Sequence, residues 1–378
     1  MKEELTKSLS YRSEASKVYK KGECALNLLK CGCVVGVLAS LSFSVVAEDH
    51  VNSETESVSQ EDELVEAPAY DKLVPVNGWN RYSGDTAFSI NEWKRWWQYI
   101  SLKKPVVMKW VDGLRLRIYP KNEVFRSIFV RGIYDPNLVV VIKALLPAKG
   151  VFFDVGSNMG YCSLLMDKVV GEDGKVFAIE PSERDFLRLV DNVNLNRLDN
   201  VNVYRLAISD KIGKVNISIA PEERSALNTL GIEFSNRGIE KVQTEEVDST
   251  TLDAFVEKED LNRIDVIKMD IEGSELKALN GAKNTIEEYR PALIVGVNKN
   301  SLEASDASIE EIEKTLRELR YKMYCLRETP FLAFKEIDDL SQVKGNWIIC
   351  LHESFVPPSL PQPKREGFAE KAKQFFTR

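Results

Sequence analysis

The sequence predicts an α/β fold built on a doubly wound, mostly parallel sheet. From residue 151 onward, short apolar runs alternate with segments of helical periodicity, and the first of these runs leads directly into a glycine turn. Strands that alternate with helices of this length form a parallel sheet with helices on both faces. The predicted strands are residues 151–155, 175–180, 201–206, 264–270, 292–297, 321–326 and 347–351.

The helices are predicted from apolar residues at helical spacing. Residues 308–320 show the pattern well, because Ile309, Ile312, Leu316 and Leu319 fall on one side of a helix. The other predicted helices are residues 159–169, residues 184–196 and a segment that starts at Glu275.

Two β-hairpins are predicted outside this alternation. Residues 106–118 predict a small N-terminal hairpin that turns at Asp112-Gly113. Alternating runs at 214–219 and 241–247 flank a loop rich in Ser, Asn and Arg, which indicates an inserted hairpin or lid.

An aromatic helical lead-in is predicted over residues 71–105. Trp93, Trp96, Trp97 and Ile100 recur at the spacing of one helix face. We favour a face that packs against the domain; a membrane-interface face and a substrate lid are the alternatives.

The charge of the chain is uneven. The 378 residues contain 51 Lys+Arg and 58 Asp+Glu, for a net charge of −7. Residues 1–30 are basic, residues 31–47 carry no charge, and the acidic linker at 48–70 holds eight acids and no Lys or Arg. The globular part is therefore close to neutral, and the net negative charge argues against nucleic-acid binding.

A basic segment, an apolar stretch and a polar run in this order form a targeting pattern. Residues 31–47 predict either a single membrane anchor, which we favour, or a signal-peptide h-region with cleavage near Ala47 and a secreted or periplasmic product. Residues 354–378 form a Pro-rich and then basic amphipathic tail, which either touches an anionic membrane surface or frays.

Histidine and cysteine usage excludes several kinds of site. The two histidines, His50 and His352, lie too far apart in the sequence for a metal site built from several imidazoles, and we predict no metal. Neither lies in a nucleophile motif of a Ser-His-Asp enzyme. Cys162, Cys325 and Cys350 each lie in an apolar context and are interpreted as buried hydrophobic residues.

The first chemical signal is a glycine loop after the strand at 151–155. Its residues Asp154, Gly156, Asn158 and Gly160 connect that strand to a helix. Gly156 allows a tight turn, and Gly160 permits the close approach of a ligand or of the helix. In an open parallel sheet, this loop falls in the ligand crevice at the carboxyl ends of the strands.

Two further acidic signals follow at strand ends. Glu180 ends the next strand just before Pro181, where a carboxylate accepts hydrogen bonds from both hydroxyls of a ribose. Asp270 and Glu272 follow the strand that contains Lys268, and their place at the crevice favours a functional role. For Glu275 we favour a first-turn acid that complements the helix dipole.

The run DVGSNMGYCSLLM, then FAIEPSERDFLRLVDNVNLN, LAISD, TLDAF, IDVIKMDIEGSELKALNGA and RPALIV resembles the FkbM-type methyltransferases in order and spacing. These are class I enzymes with a Rossmann-like sheet, and the resemblance places their domain at residues 106–353, including the segment GIYDPNL. It implies S-adenosylmethionine as cofactor and O-methylation of a sugar or another small hydroxylated molecule.

The resemblance also implies roles for individual residues. Asp154, Gly156, Asn158 and Gly160 would line the methionine part of the cofactor, and Glu180 would hold the ribose. Ala207 and Ser209 would lie near the adenine, and Asp270 near the methyl group and acceptor. One departure stands out, because the family commonly has an acid where this chain has Gly296.

Methyl transfer also needs a group that takes the proton of the acceptor. With no histidine in the crevice motifs, we predict Asp270 as the base, then Glu272, with Lys268 as an orienting or charge-balancing group. Two alternatives remain: a membrane-anchored or exported nucleotide-binding module without turnover, and, less favoured, a nicotinamide oxidoreductase.

Overall fold

The computed structural model describes residues 64–66, 90–228, 243–326, 334–343 and 345–355. All of them belong to the compact unit Glu63–Arg378. The predicted apolar segment at 31–47, the basic segment before it and nearly all of the linker and tail lie outside the described residues, so their roles stay predictions. Within the described ranges, no helix is long and apolar enough to cross a membrane.

The strands alternate with helices as the sequence predicts. In chain order the described strands are β1 (Leu64–Glu66), β2 (Val106–Lys109), β3 (Arg115–Ile118), β4 (Val151–Val155), β5 (Lys175–Ile179), β6 (Val201–Tyr204), β7 (Ala207–Ile208), β8 (Gly213–Ile219), β9 (Gln243–Thr250), β10 (Val266–Met269), β11 (Ala292–Gly296), β12 (Tyr321–Leu326), β13 (Phe334–Ile337) and β14 (Trp347–His352).

The described α-helices are α1 (Ile90–Ser101), α2 (Glu123–Arg131), α3 (Pro136–Leu145), α4 (Tyr161–Val170), α5 (Glu183–Asn196), α6 (Leu252–Glu259), α7 (Glu275–Asn280), α8 (Lys283–Tyr289), α9 (Lys299–Glu303) and α10 (Ile309–Glu318). Helices α2 and α3, which precede the central strand β4, were not among the predicted elements.

The main sheet is doubly wound and mostly parallel, which confirms the predicted fold class. Its strand order is β13-β12-β14-β11-β10-β4-β5-β6. Strands β6, β5, β4, β10 and β11 are parallel, while β14 is antiparallel to both β11 and β12. The chain extends the sheet from β4 to one side and later returns to the other side, so a crevice opens at the carboxyl ends of β4 and β10.

Helices cover both faces of this sheet because alternate strand residues point to opposite sides. Phe152 and Ala178 face a core shared with α2 to α5. Phe153 and Phe177 stack on the opposite face, with ring centroids 4.7 Å apart, against Phe255 of α6. Each strand end is therefore held from two sides, which positions the loops that follow it.

Both predicted hairpins are present. Strands β2 and β3 pair antiparallel and turn through Asp112 and Gly113, which have positive φ. Strands β8 and β9 also pair antiparallel. The loop between them is described only as far as Asn228, so the predicted lid lies largely outside the described residues.

The prediction that one face of α1 packs against the domain is wrong for three of the four residues on that face. Trp93, Trp97 and Ile100 are 47%, 64% and 46% exposed, and the ring of Trp96 contacts Arg126. The helix instead buries Tyr99, whose hydroxyl donates to the backbone oxygens of Tyr119 and Asn122. Tyr99 lies about 200° around the helix from Trp97, so burying it turns the tryptophan face outward.

Replacing Gly160 by alanine should destabilise the fold more than the same change at Gly113. Both glycines have positive φ, but a Cβ atom at Gly160 would lie 2.5 Å from Cδ1 of the buried Leu189, while Gly113 has nothing within 4 Å. We expect Gly160→Ala to lower the free energy of unfolding by about 1–3 kcal/mol more than Gly113→Ala, measured by urea denaturation. Equal losses would show that backbone strain alone decides both positions.

Candidate active site

A cleft that opens to solvent lies at the carboxyl ends of the central strands. Its walls include Gly156 to Asn158 after β4, Glu180 after β5, Asp270 to Glu272 after β10 and Asn298 after β11.

A buried ion pair joins β4 and β10, the parallel strands between which the strand order of the sheet reverses. Asp154 of β4 and Lys268 of β10 are register partners, and Nζ of Lys268 lies 2.9 Å from Oδ1 of Asp154. The same ammonium donates to the backbone oxygen of Gly156, and Ser163 donates to the other oxygen of Asp154. Burial lowers the pKa of Lys268, but the neighbouring negative groups, with Asp154 and then Asp270 the strongest, together outweigh this effect and raise the pKa above its usual value.

This pair changes how two predicted site residues are interpreted. Asp154 is fully buried and lies behind the cleft wall, where it holds the loop after β4 through Lys268. Lys268 borders the cleft, but Asp154 and Gly156 take up its ammonium. It therefore balances the buried charge of Asp154, and its predicted part in catalysis stays a prediction.

The glycines of the loop serve close packing. A Cβ atom at Gly156 would lie 2.2 Å from the backbone oxygen of Asp270, so this glycine lets the loops after β4 and β10 meet. Gly160 packs on Leu189 of α5 and does not line the cleft. Its missing side chain therefore lets α5 pack close to the loop and does not make room for a ligand. Asn158 does line the cleft, with a positive φ of 50°.

Glu180 is a buried carboxylate at the end of β5. One oxygen accepts from the backbone N–H of Asn158 and the other from that of Ser182. Burial, and next the charge of Asp185, raise the pKa of Glu180. The two backbone bonds hold the carboxylate at the cleft wall, in the place predicted for a ribose contact.

The cleft wall beyond Glu180 is apolar. Leu206, Ala207 and Ile208 line it, which suits the flat face of a base. Ser209, predicted beside Ala207 as an adenine contact, is not among the lining residues. Its backbone oxygen instead packs against Gly281, and its hydroxyl donates to Asp210.

The two predicted catalytic acids differ in their contacts. Asp270 is exposed in the cleft, and among contacts between described residues its side chain makes no hydrogen bond or ion pair. Glu272 is half-buried with a positive φ of 50°, and it accepts a hydrogen bond of 2.8 Å from the hydroxyl of Ser301. Asp270 is therefore better placed to receive a proton from a bound molecule.

Glu275 has a larger role than the favoured interpretation of a first-turn acid. It is 2% exposed and lines the cleft, and its two oxygens accept from the backbone N–H groups of Ile271 and Gly273. These bonds shape the loop that carries Asp270 and Glu272. Burial raises the pKa of Glu275 to about 8.

The unusual Gly296 faces this same carboxylate. A Cβ atom at Gly296 would lie 2.8 Å from Oε1 of Glu275. The space that a side chain at 296 would need is therefore already occupied by an acid from the neighbouring element.

One cleft carboxylate was not predicted from the sequence. Asp135 lies in the segment GIYDPNL, at the start of α3, with a positive φ of 40°. One of its oxygens accepts from the backbone N–H of Leu138 and the other from Nε1 of Trp347, at 2.9 Å. Burial raises the pKa of Asp135 to about 6, and the charge of Asp270 adds to the effect. The Asp-Pro start of a helix was the available sequence signal.

Part of this chain is similar in sequence to known methyltransferases. Residues 154–323 match the model of the methyltransferase FkbM domain. Hexuronic acid methyltransferase AglP from Haloferax volcanii is 27% identical over 202 residues, which cover 51% of this chain and 75% of that protein. Methyltransferase sdnD from Sordaria araneosa is 26% identical over 197 residues, which cover 45% of this chain and 74% of that protein.

A crystal structure of methyltransferase FkbM from Methylobacillus flagellatus KT is also similar, with 18% identity and a TM-score of 0.35. The similar region covers 54% of this chain and 44% of that chain, so the match spans less than half the length of the solved protein. The match at residues 154–323 is to the same family that the sequence motifs resemble.

Replacing the lysine of the buried ion pair should greatly lower the free energy of unfolding. Lys268→Met leaves the carboxylate of Asp154 buried without its counter-ion, which typically costs about 3–5 kcal/mol. We expect the double variant Lys268→Met/Asp154→Asn to recover part of this loss in urea denaturation. Lys149→Met, which breaks the exposed pair with Asp173, should change little. A Lys268→Met protein as stable as the wild type would contradict the role of the pair.

The free energy of unfolding should fall as pH rises, because burial raises the pKa of Glu275 from its ordinary value of 4.5 to about 8. A carboxyl whose pKa is higher in the folded state stabilises the fold below pH 4.5, and that contribution disappears as pH approaches 8. Glu275→Gln should therefore flatten the decline in unfolding free energy between pH 5 and 8, by at most about 1.4 kcal/mol per pH unit. The exposed Glu310→Gln should leave the pH dependence unchanged; an identical slope in all three proteins would rule out this titration.

Proposed function

We propose that this chain, which carries an FkbM-type methyltransferase domain, transfers a methyl group from S-adenosylmethionine to a hydroxyl of a sugar or another small molecule. The observation that carries the proposal is that one cleft contains both Glu180, a carboxylate at the end of β5, and Asp270, an exposed carboxylate at the end of β10. A carboxylate at the position of Glu180 suits the hydroxyls of a ribose, and an exposed carboxylate such as that of Asp270 suits proton transfer.

The described residues fit the cofactor. Glu180 presents its carboxylate at the cleft wall, and the apolar Ala207 and Ile208 beyond it suit an adenine. Asn158 and Gly156 line the intervening loop. Bound S-adenosylmethionine supplies an electrophilic methyl group on a positively charged sulfur, and the acids around the cleft provide a favourable field for that charge.

Asp270 supplies the base in this proposal. The backbone N–H of Asp270 donates to Val155 of β4, and Glu275 holds the next residues of the loop. The carboxylate thus stands on a supported backbone while its oxygens face the cleft. It would orient the acceptor hydroxyl and take its proton as the bond from that oxygen to the methyl carbon forms. The bond from the methyl carbon to sulfur would break at the same time, with S-adenosylhomocysteine as the leaving group. Glu272 and Lys268 lie nearby: Glu272 accepts a hydrogen bond from Ser301, and Lys268 forms an ion pair with Asp154.

The curated relative that acts on a hexuronic acid supports a carbohydrate as the acceptor. Carboxylate and amide side chains are the groups that hydrogen-bond sugar hydroxyls. The cleft offers both kinds, in Asp135, Asp270, Asn298 and Asn346.

Replacing the base should separate turnover from cofactor binding. We expect Asp270→Asn to lower the rate of methyl transfer by about 10²–10⁴-fold, because general base catalysis contributes an effect of this size. Calorimetry should show wild-type-like binding of S-adenosylmethionine and S-adenosylhomocysteine, and no binding of NAD. Asp260→Asn is a matched control, since Asp260 is exposed at the end of α6, in a left-handed conformation that asparagine tolerates.

Each contrary outcome has its own meaning. Full turnover by Asp270→Asn would exclude this residue as the base. Cofactor binding by the wild type without turnover on a panel of hydroxylated acceptors would favour a binding module, and binding of NAD alone would favour an oxidoreductase.

A further inference from the structure

We infer that Asn228, in the loop between β8 and β9, recognises the edge of the cofactor's adenine and selects that base. This inference rests on the proposed function and adds a specificity-determining residue to it. No sequence motif indicates Asn228, because it lies in the inserted hairpin and not at the end of a strand of the main sheet.

The inserted hairpin forms part of the cleft wall beside Glu180. Ala207 of β7 and Ile217 of β8 both line the cleft, and they pack together in one small apolar cluster. Leu206 and Ile208 extend this apolar wall. They follow β6, whose last residue accepts a hydrogen bond from the backbone N–H of Glu180. A base held against this wall would have apolar contacts on its face and would need a polar partner at its edge.

Asn228 lies where such a partner is needed. It lines the cleft, whereas Ser209, the predicted adenine contact, does not. Nδ2 of Asn228 donates to Oδ2 of Asp185 at 2.7 Å, and the hydroxyl of Ser182 donates to the same oxygen at 3.4 Å. The backbone N–H of Ser182 donates in turn to Glu180. Because adenine is bonded directly to the ribose, a residue linked in this way to the proposed ribose carboxylate lies close to the base.

Two neighbours fix the direction in which the amide of Asn228 points. The carboxylate of Asp185 only accepts hydrogen bonds, so the amide group that meets it is the NH₂. The backbone N–H of Ala220 only donates, so the amide group that it meets, at 2.9 Å, is the oxygen. Asp185 is itself fully buried and is held by Arg184 and Arg188 at 3.0 and 3.3 Å. Asp185 is therefore a positioning residue for Asn228.

The amide of Asn228 has capacity for a ligand as well. A primary amide offers two N–H donors and two lone pairs on its oxygen. In contacts between described residues, Asn228 uses one donor and one lone pair. The second N–H and the second lone pair match a ring nitrogen and the amino group of adenine, which is the pairing that asparagine makes with adenine in nucleic acids. A base with a carbonyl oxygen in place of the amino group would face the amide oxygen and be rejected.

The inference can be tested by calorimetry with two forms of the product cofactor. S-inosylhomocysteine differs from S-adenosylhomocysteine by a carbonyl oxygen in place of the amino group and by a proton on the neighbouring ring nitrogen. We expect the wild-type chain to bind the adenosyl form about tenfold more tightly or better. Asn228→Ala and Asn228→Leu both remove the amide, one leaving a gap and the other filling it. In each, the ratio of the two dissociation constants should fall to about threefold or less.

Asn200→Ala is the matched control. Asn200 also donates a side-chain hydrogen bond, to the backbone oxygen of Gly171, and it does not line the cleft. Its ratio should equal that of the wild type, and urea denaturation should show that each variant compared is folded.

The proposed function and the inference about Asn228 fail in different ways. If the wild type binds neither ligand, the proposed cofactor is wrong, and the inference falls with it. If it binds both equally, or if the Asn228 variants keep the wild-type ratio, the cofactor stands and the inference falls alone. Unchanged cofactor binding with a raised KM for the acceptor would place Asn228 at the acceptor and would also overturn the inference.

Discussion

The ion pair between Asp154 and Lys268 is the constraint on which the site depends. It lies between the parallel strands β4 and β10, where the strand order of the sheet reverses, and both side chains are buried. Two buried charges are costly unless they meet, and here Ser163 and the backbone of Gly156 complete their hydrogen bonds. Because the same ammonium binds the loop after β4, the pair fixes the crevice in which both proposed ligands would lie.

The loop after β10 extends this arrangement. Gly156 allows the loops after β4 and β10 to touch, and Glu275 folds back to bind two N–H groups of the second loop. Asp270 is thereby left exposed on a rigid backbone, while Glu272 bonds to Ser301. Glu275 and Glu272 thus use their carboxylates in contacts within the protein, while the carboxylate of Asp270 is left exposed to the cleft, so similar groups have different environments.

The segments that flank the matched domain complete the cleft. Helix α3 begins at Asp135, and that residue binds Trp347 of β14, more than 200 residues later. This contact places a carboxylate in the cleft beside β14. Specificity in this family fold would then depend on segments on both sides of the domain, as expected where a common scaffold serves different substrates.

The sequence alone determined the alternation of strands and helices, the glycine loop after β4 and the acidic strand ends, because these features depend on local pattern and short motifs. It also identified Glu180, Asp270 and Glu272 as crevice residues. Only the tertiary structure placed Asp154 behind the wall with Lys268, turned the tryptophans of α1 outward, and brought Asp135 and Glu275 into the cleft. Those outcomes depend on contacts between distant residues, such as Leu189 with Gly160 and Trp347 with Asp135, and local pattern carries no information about them.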